Sequence, residues 1–168
     1  MADKYVYNNA GTLTEREAIT TSAGAGDSGK IPGLDGSGRL DSSMMPVGIG
    51  ADTASITASE ALSAGDLVNV WNSTGAKVRK ADASTSGKEA HGFVLSSVSN
   101  GASATVYFEG TDTQVTGLTP GVVFLSASTP GLATGTAPST AGQVVQRVGL
   151  ATAATALNFD RGEPIVLA

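Results

Sequence analysis

The sequence predicts a mainly β protein: a small antiparallel β-barrel or sandwich with an extended N-terminal arm. Three observations lead there. From about Ala51 onward, short runs of Val, Leu, Thr and Ala recur between turn signals about eight to twelve residues apart, as in sandwiches and barrels. No apolar pattern of helical period persists for about ten residues in that half. Before it, Gly29–Pro46 (GKIPGLDGSGRLDSSMMP) carries six Gly or Pro in eighteen residues and fits neither a helical nor a strand period. The expected division is therefore an arm and connector over 1–50 and a β domain over 51–168.

Composition bounds the rest. At 168 residues the chain suits one domain, or one domain with a tail. Its net charge of −5 argues against a nucleic-acid partner, which calls for a basic patch. Charged residues make up only 15% and Gly numbers 22, a balance that favours close-packed β structure over helices. Aromatics are 5%, so the core must rely on Val, Leu, Ala and Ile. A thin core of small residues gains from oligomerisation. The few large side chains, Trp71, Tyr107, Phe108 and Phe124, are accordingly expected at a subunit interface. With no cysteine, disulfide and thiolate chemistry are excluded. The start MADKYVYNNAG has neither the charged nor the apolar region of a signal peptide, and no run reaches membrane-spanning length. Synthesis in the cytoplasm, without a membrane partner, is the expectation.

In chain order, Tyr5–Tyr7 suits a short strand or a docking segment, and Asn8–Gly11 a turn. Thr14–Glu17 has the spacing of a capping box and predicts one or two helical turns. Thr20–Gly29 reads as irregular. The connector then carries single apolar pegs, Ile31, Leu34, Leu40, Met44 and Met45, which must be covered by the β domain or by another subunit. Residues 1–50 cannot close a core of their own. In the second half, Asp66–Trp71 and Ala76–Lys80 form a hairpin around the turn Asn72–Gly75. A strand follows at His91–Leu95, after a polar loop at Ser84–Glu89. Asn100-Gly101 marks a tight turn. In Ala102–Glu109, Ala104, Val106 and Phe108 alternate with Ser103, Thr105 and Tyr107, which predicts one buried face. Thr119-Pro120-Gly121 and Thr129-Pro130-Gly131 both suit type II turns, with the strand Val122–Ser126 between them. Gln143–Leu150, Ala156–Asp160 and Pro164–Leu167 complete the strands.

No motif makes a persuasive catalytic or metal site. Gly24–Lys30 has the G-x-x-x-x-G-K spacing of a phosphate loop, but Ile31 and Pro32 follow where a Ser or Thr and a helix are required. Gly26-Asp27-Ser28-Gly29 looks like a serine nucleophile loop, yet the single histidine, His91, comes after it, and nothing else supports a triad. One His and no Cys exclude the usual zinc ligand sets. Asp35, Ser37 and Asp41 lack calcium-loop spacing. Asn72-Ser73-Thr74 reads as a turn rather than a glycosylation site. Lys77, Arg79 and Lys80 put a small basic face on one strand, read first as a solvated edge and second as a contact for an acidic surface. The chain is expected to be no enzyme and to use no cofactor and no metal.

The connector phrase, G-K-I-x-x-L-D-x-S-G-R-L-D-S-S-M-x-P, resembles connectors in structural proteins of tailed-phage virions. The order Arg79-Lys80-Ala81-Asp82, His91-Gly92-Phe93-Val94, Gly117–Ser126 and Gln143–Gly149 resembles small β domains of phage capsid decoration (cement) proteins and head-fibre bases. The resemblance implies a virion protein on the capsid exterior, assembled in the host cytoplasm, that stabilises the capsid by binding across major capsid protein subunits. It further implies a homo-oligomer, a trimer before a dimer. In that setting the pegs Ile31, Leu34, Leu40, Met44 and Met45 would be the capsid contacts. The alternative it leaves is a tail-fibre or head-fibre base anchoring a host-binding appendage.

Overall fold

A computed structural model describes residues 3–45 and 50–168. The chain divides into two compact units, Met1–Gly50 and Ala51–Ala168. The described structure is mainly strand, and nearly every strand pair is antiparallel.

The first unit opens with a β-hairpin of β1 (Lys4–Asn9) and β2 (Thr12–Glu17), paired in unbroken register from Lys4↔Glu17 to Asn9↔Thr12. The capping-box expectation at Thr14–Glu17 is therefore wrong: those residues are strand. A helix this short nucleates poorly, whereas the turn beside it is well specified. Ala10 and Gly11 both have positive φ, and Gly11 N–H donates to Asn8 Oδ1 at 2.7 Å. Across the strands, Arg16 lies 4.0 Å over the Tyr7 ring and bonds its hydroxyl. Past the hairpin, the chain makes short 3₁₀ turns at Ala25–Asp27 and Ser42–Met44. Pro46 and Val47–Ile49, the end of the connector, lie outside the described residues.

The second unit contains a closed five-stranded barrel. Its staves are β3 (Thr53–Ala58), β4 (Leu67–Asn72), β5 (Ala76–Lys80), β6 (Gly92–Phe93) and β7 (Ser103–Tyr107), in the ring order β3-β5-β4-β6-β7. β3 closes the ring antiparallel to β7 and, unexpectedly, parallel to β5. The sequence reading passed over β3 because TASITA buries mostly small residues. Beside the barrel lies a five-stranded antiparallel sheet of order β10-β9-β12-β13-β8. Its strands are β8 (Gly110–Asp112), β9 (Gly121–Leu125), β10 (Ala133–Thr134), β12 (Arg147–Ala153) and β13 (Ala156–Phe159). A separate pair joins β11 (Val144–Val145) to β14 (Ile165–Val166).

Two cores follow from strand alternation. Val68, Val78, Val94, Ala104 and Val106 fill the barrel, with Ile56 and Phe108 against them. Leu67, Phe93, Val123, Leu125, Val148, Leu157 and Phe159 fill the space between barrel and sheet, with Tyr107 against them. Leu67 and Phe93 are cross-strand partners, and their chain neighbours Val68 and Val94 point the other way. Ala104 and Val106 are buried on one face of β7 as expected, with Phe108 just past its end half-buried against the same core, while Tyr107 on the opposite face stacks on Phe93 at 5.4 Å.

Two glycines hold these layers close. Thr129-Pro130-Gly131 is the type II turn predicted: Gly131 has φ +85 and Leu132 N–H donates to Thr129 O. It ties onto the barrel because Leu67 N–H donates to Gly131 O and Gly131 N–H to Ala81 O, each at 2.7 Å. Thr119-Pro120-Gly121 is not such a turn; Gly121 starts β9 with φ +139. Gly92 is a matter of space. A Cβ there would sit 2.4 Å from Tyr107 O and 2.9 Å from Val106 Cγ1. Gly92→Ala should therefore force β6 off β7 and cost about 2–3 kcal/mol; chemical denaturation of the two proteins measures it, and an unchanged midpoint would contradict this packing.

Candidate interaction surface

In the first unit the polar groups are organised and the apolar ones are not covered. No described residue of this unit is buried. Val6, Leu13, Ile31, Leu34, Leu40 and Met45 each leave 42–76% of their surface exposed. Among the predicted pegs only Met44 is half-buried. Val6 and Leu13 were not singled out from sequence; their shared hairpin face, alternate to the Tyr5, Tyr7 and Arg16 face, follows from the register.

The connector is held by its own carboxylates rather than by a core. Ile19 N–H donates to Ile31 O and Gly33 N–H to Ile19 O, so the segment runs alongside the end of the hairpin. Asp35 Oδ1 accepts from Ser37 N and Arg39 N, closing a tight loop that leaves Leu34 and Leu40 outside. Asp41 caps the turn Ser42–Met44 by accepting from the Ser43 amide and hydroxyl, and these bonds, the hydroxyl's first, hold its pKa below the ordinary value. The connector is thus folded locally, not extended throughout.

The side chains of the motifs noted in the sequence have partners of their own. Lys30 of the phosphate-loop-like segment is paired with Asp27 at 2.6 Å, and Asp27 also accepts from Ala23 N. Both kinds of group that would hold a phosphate, a loop amide and the lysine, are engaged by that carboxylate. The Lys30 bond is the chief reason the Asp27 pKa is lowered. Ser28 and His91 belong to different units. Among the described residues no cluster of three His, Cys, Asp or Glu could hold a metal.

The basic face of β5 is largely spent within the barrel. Arg79 lies 4.5 Å over the Trp71 ring and donates to Asn69 Oδ1 and Gly87 O. Lys80 pairs with buried Asp66 at 3.1 Å. Trp71, offered from sequence as an interface residue, is half-buried there and donates from Nε1 to Ser59 Oγ. Tyr107 and Phe108 are half-buried against the two cores of their own domain. Phe124 alone of the four lies beside exposed apolar surface. It projects from β9 on the same face as Val122, whose cross-strand partner is exposed Leu150.

Among the buried polar side chains, Gln146 and Asp112 stand out. Gln146 sits between β11 and β12, accepts from Ala90 N at 2.7 Å, and donates to Ala90 O and Gly162 O. Its signal was the alternation Val144, Gln146, Val148, which places it on the buried face. Asp112 gave no signal. It is fully buried, Oδ1 accepts from Gln114 N, and Oδ2 has no partner.

No family model, curated protein or solved structure matches the chain. The site must be read from its own chemistry.

Burial, reinforced by the charge of Asp66, raises the Asp112 pKa above 3.8. The folded state then keeps a proton that the unfolded chain has released. This group costs nothing at pH values below the unfolded pKa, and its penalty grows until pH passes the folded one. The effect of Asp112→Asn on stability should consequently be more favourable at pH 7 than near pH 3.5, because only the parent protein loses stability as this carboxyl is driven to ionise. Thermal melts across that range test it; an equal effect at both ends would show that the charge is irrelevant.

Proposed function

We propose that this chain is a virion structural protein that decorates a tailed-phage capsid and stabilises it by binding across major capsid protein subunits. The carrying observation is the contrast between the units. The β domain fills two cores of its own, whereas the N-terminal unit buries no described residue and exposes six large apolar side chains. Such exposed side chains suit docking on a partner. The resemblance of the Gly29–Pro46 phrase to virion connectors supplies the partner's class.

In this reading Ile31, Leu34, Leu40, Met44 and Met45, joined by Val6 and Leu13, dock on the lattice. The carboxylate-closed loops hold the pegs in place before docking and so lower the ordering cost. Binding to the assembled lattice in preference to free subunits stabilises the particle by linkage. Self-association, as a trimer before a dimer, would use the Phe124, Val122 and Leu150 face of the sheet.

Replacing Leu34, Leu40, Met44 and Met45 together by Ser should reduce capsid occupancy and lower the temperature at which particles release DNA. Burial of one such side chain contributes roughly 1.5–3 kcal/mol, so the loss should be large. Far-UV circular dichroism of the free variant should match the parent. Full occupancy and unchanged heat resistance with the quadruple variant would reject the reading.

A further inference from the structure

We propose that His91 is an acid-sensitive latch on the narrowest stave of the barrel: the neutral ring completes the β4 ladder, and its protonation loosens the β4–β6 seam. β6 has only two residues. It pairs with β4 through Leu67↔Phe93 and Val68↔Gly92, and with β7 through Phe93↔Tyr107 alone. The backbone extends the first seam by one bond at each end, His91 N–H to Val68 O at 2.8 Å and Val94 N–H to Asp66 O at 3.1 Å. The next donor on that edge of β4 is Val70 N–H. No backbone carbonyl meets it: Gln146 takes both the N–H and the C=O of Ala90, and the Glu89 carbonyl accepts from the Asn69 side chain at 2.7 Å instead. The imidazole fills the gap: Val70 N–H donates to His91 Nδ1 at 3.0 Å.

That bond fixes the ring chemistry. A nitrogen that accepts carries no proton, so the neutral ring holds its hydrogen on Nε2. In the imidazolium both nitrogens are donors, and Nδ1–H would face Val70 N–H. The bond would be lost with no other acceptor in place for Val70.

The charged groups facing the ring are few. His91 lines a cavity of about 210 Å³ together with Glu89, Arg161 and Glu163. β4 itself (LVNVWN) has no titratable side chain, and Val78 of β5 stands opposite Val70. Burial chiefly, then the Arg161 charge, depress the His91 pKa below 6.5, with Glu89 acting in the opposite sense. An opened seam therefore takes up the proton before the closed one. The latch is complete above about pH 6.5, weakens as pH falls below it, and stops weakening once the closed state is protonated too.

The test follows amide exchange at Val70, His91 and Gly92 in the ¹⁵N-labelled full chain from pH 7.5 to 4.5, corrected for intrinsic exchange rates. The companion variant is His91→Asn, whose side-chain oxygen can accept from Val70 without titrating. In the parent protein, protection of these amides should fall by up to about tenfold per pH unit below 6.5 until it levels off. In His91→Asn it should be independent of pH. The same loss in both proteins would overturn the proposal. Should the variant not fold, the ring nitrogen shifts of the parent decide. Nε2–H with bare Nδ1 at pH 7.5, and a Val70 amide shift that titrates with the ring, support the latch; Nδ1–H at neutral pH overturns it.

Discussion

The β domain depends on one wall that serves two cores. β4, β6 and β7 each send one residue inward and its neighbour outward: Leu67 and Val68, Phe93 and Val94, Tyr107 and Val106. The barrel is thereby filled by Val and Ala, while Leu, Phe and Tyr face the second sheet. With few aromatics in the chain, placing Phe93 against both Tyr107 and Phe159 concentrates the largest buried surfaces at the junction. Neither layer could drop this wall without uncovering both cores. The wall is also thin, since β6 is two residues long, and this is why side chains help to hold it. Gly92 allows the close approach to β7, His91 extends the ladder, and Gln146 anchors Ala90 just outside it.

The N-terminal unit obeys a different rule. Its order comes from a hairpin register, Asx turns and ion pairs rather than from burial. Isolated hairpins are marginal in water, and exposed apolar residues on such a scaffold add little folding energy. A domain with two cores of its own thus carries a unit in which no described residue is buried. The reading as a capsid decoration protein rests on that division and on the connector's resemblance to virion proteins.

Much of the β domain was legible because its signals were local. The Asn72–Gly75 hairpin, the alternation of β7 and the Thr129–Gly131 turn follow from period-two patterning and turn chemistry. What escaped was non-local or small. β3 is an Ala/Thr/Ser strand whose partners are set by ring closure, and its parallel pairing with β5 has no sequence signature. Thr14–Glu17 matched a capping box, but pairing with β1 outweighed it. On the surface, the pegs Ile31, Leu34, Leu40 and Met45 were readable as isolated apolar residues among turn formers, whereas Val6 and Leu13 became one face only once the register was known. Trp71, Tyr107 and Phe108 were singled out by size alone. Size suggested an interface, yet their own domain half-buries them.

The central proposal is that the apolar side chains of the N-terminal unit become covered on a capsid, while the β domain folds around cores of its own. Hydrogen exchange read by mass spectrometry, on the full chain free and bound to capsids, tests it most directly. The account predicts slow exchange in the strands from Leu67 to Phe159 in both states, and fast exchange across residues 3–45 that becomes slow only on particles. Strong protection of residues 3–45 in the free protein, or a gain on binding confined to the β domain, would contradict it.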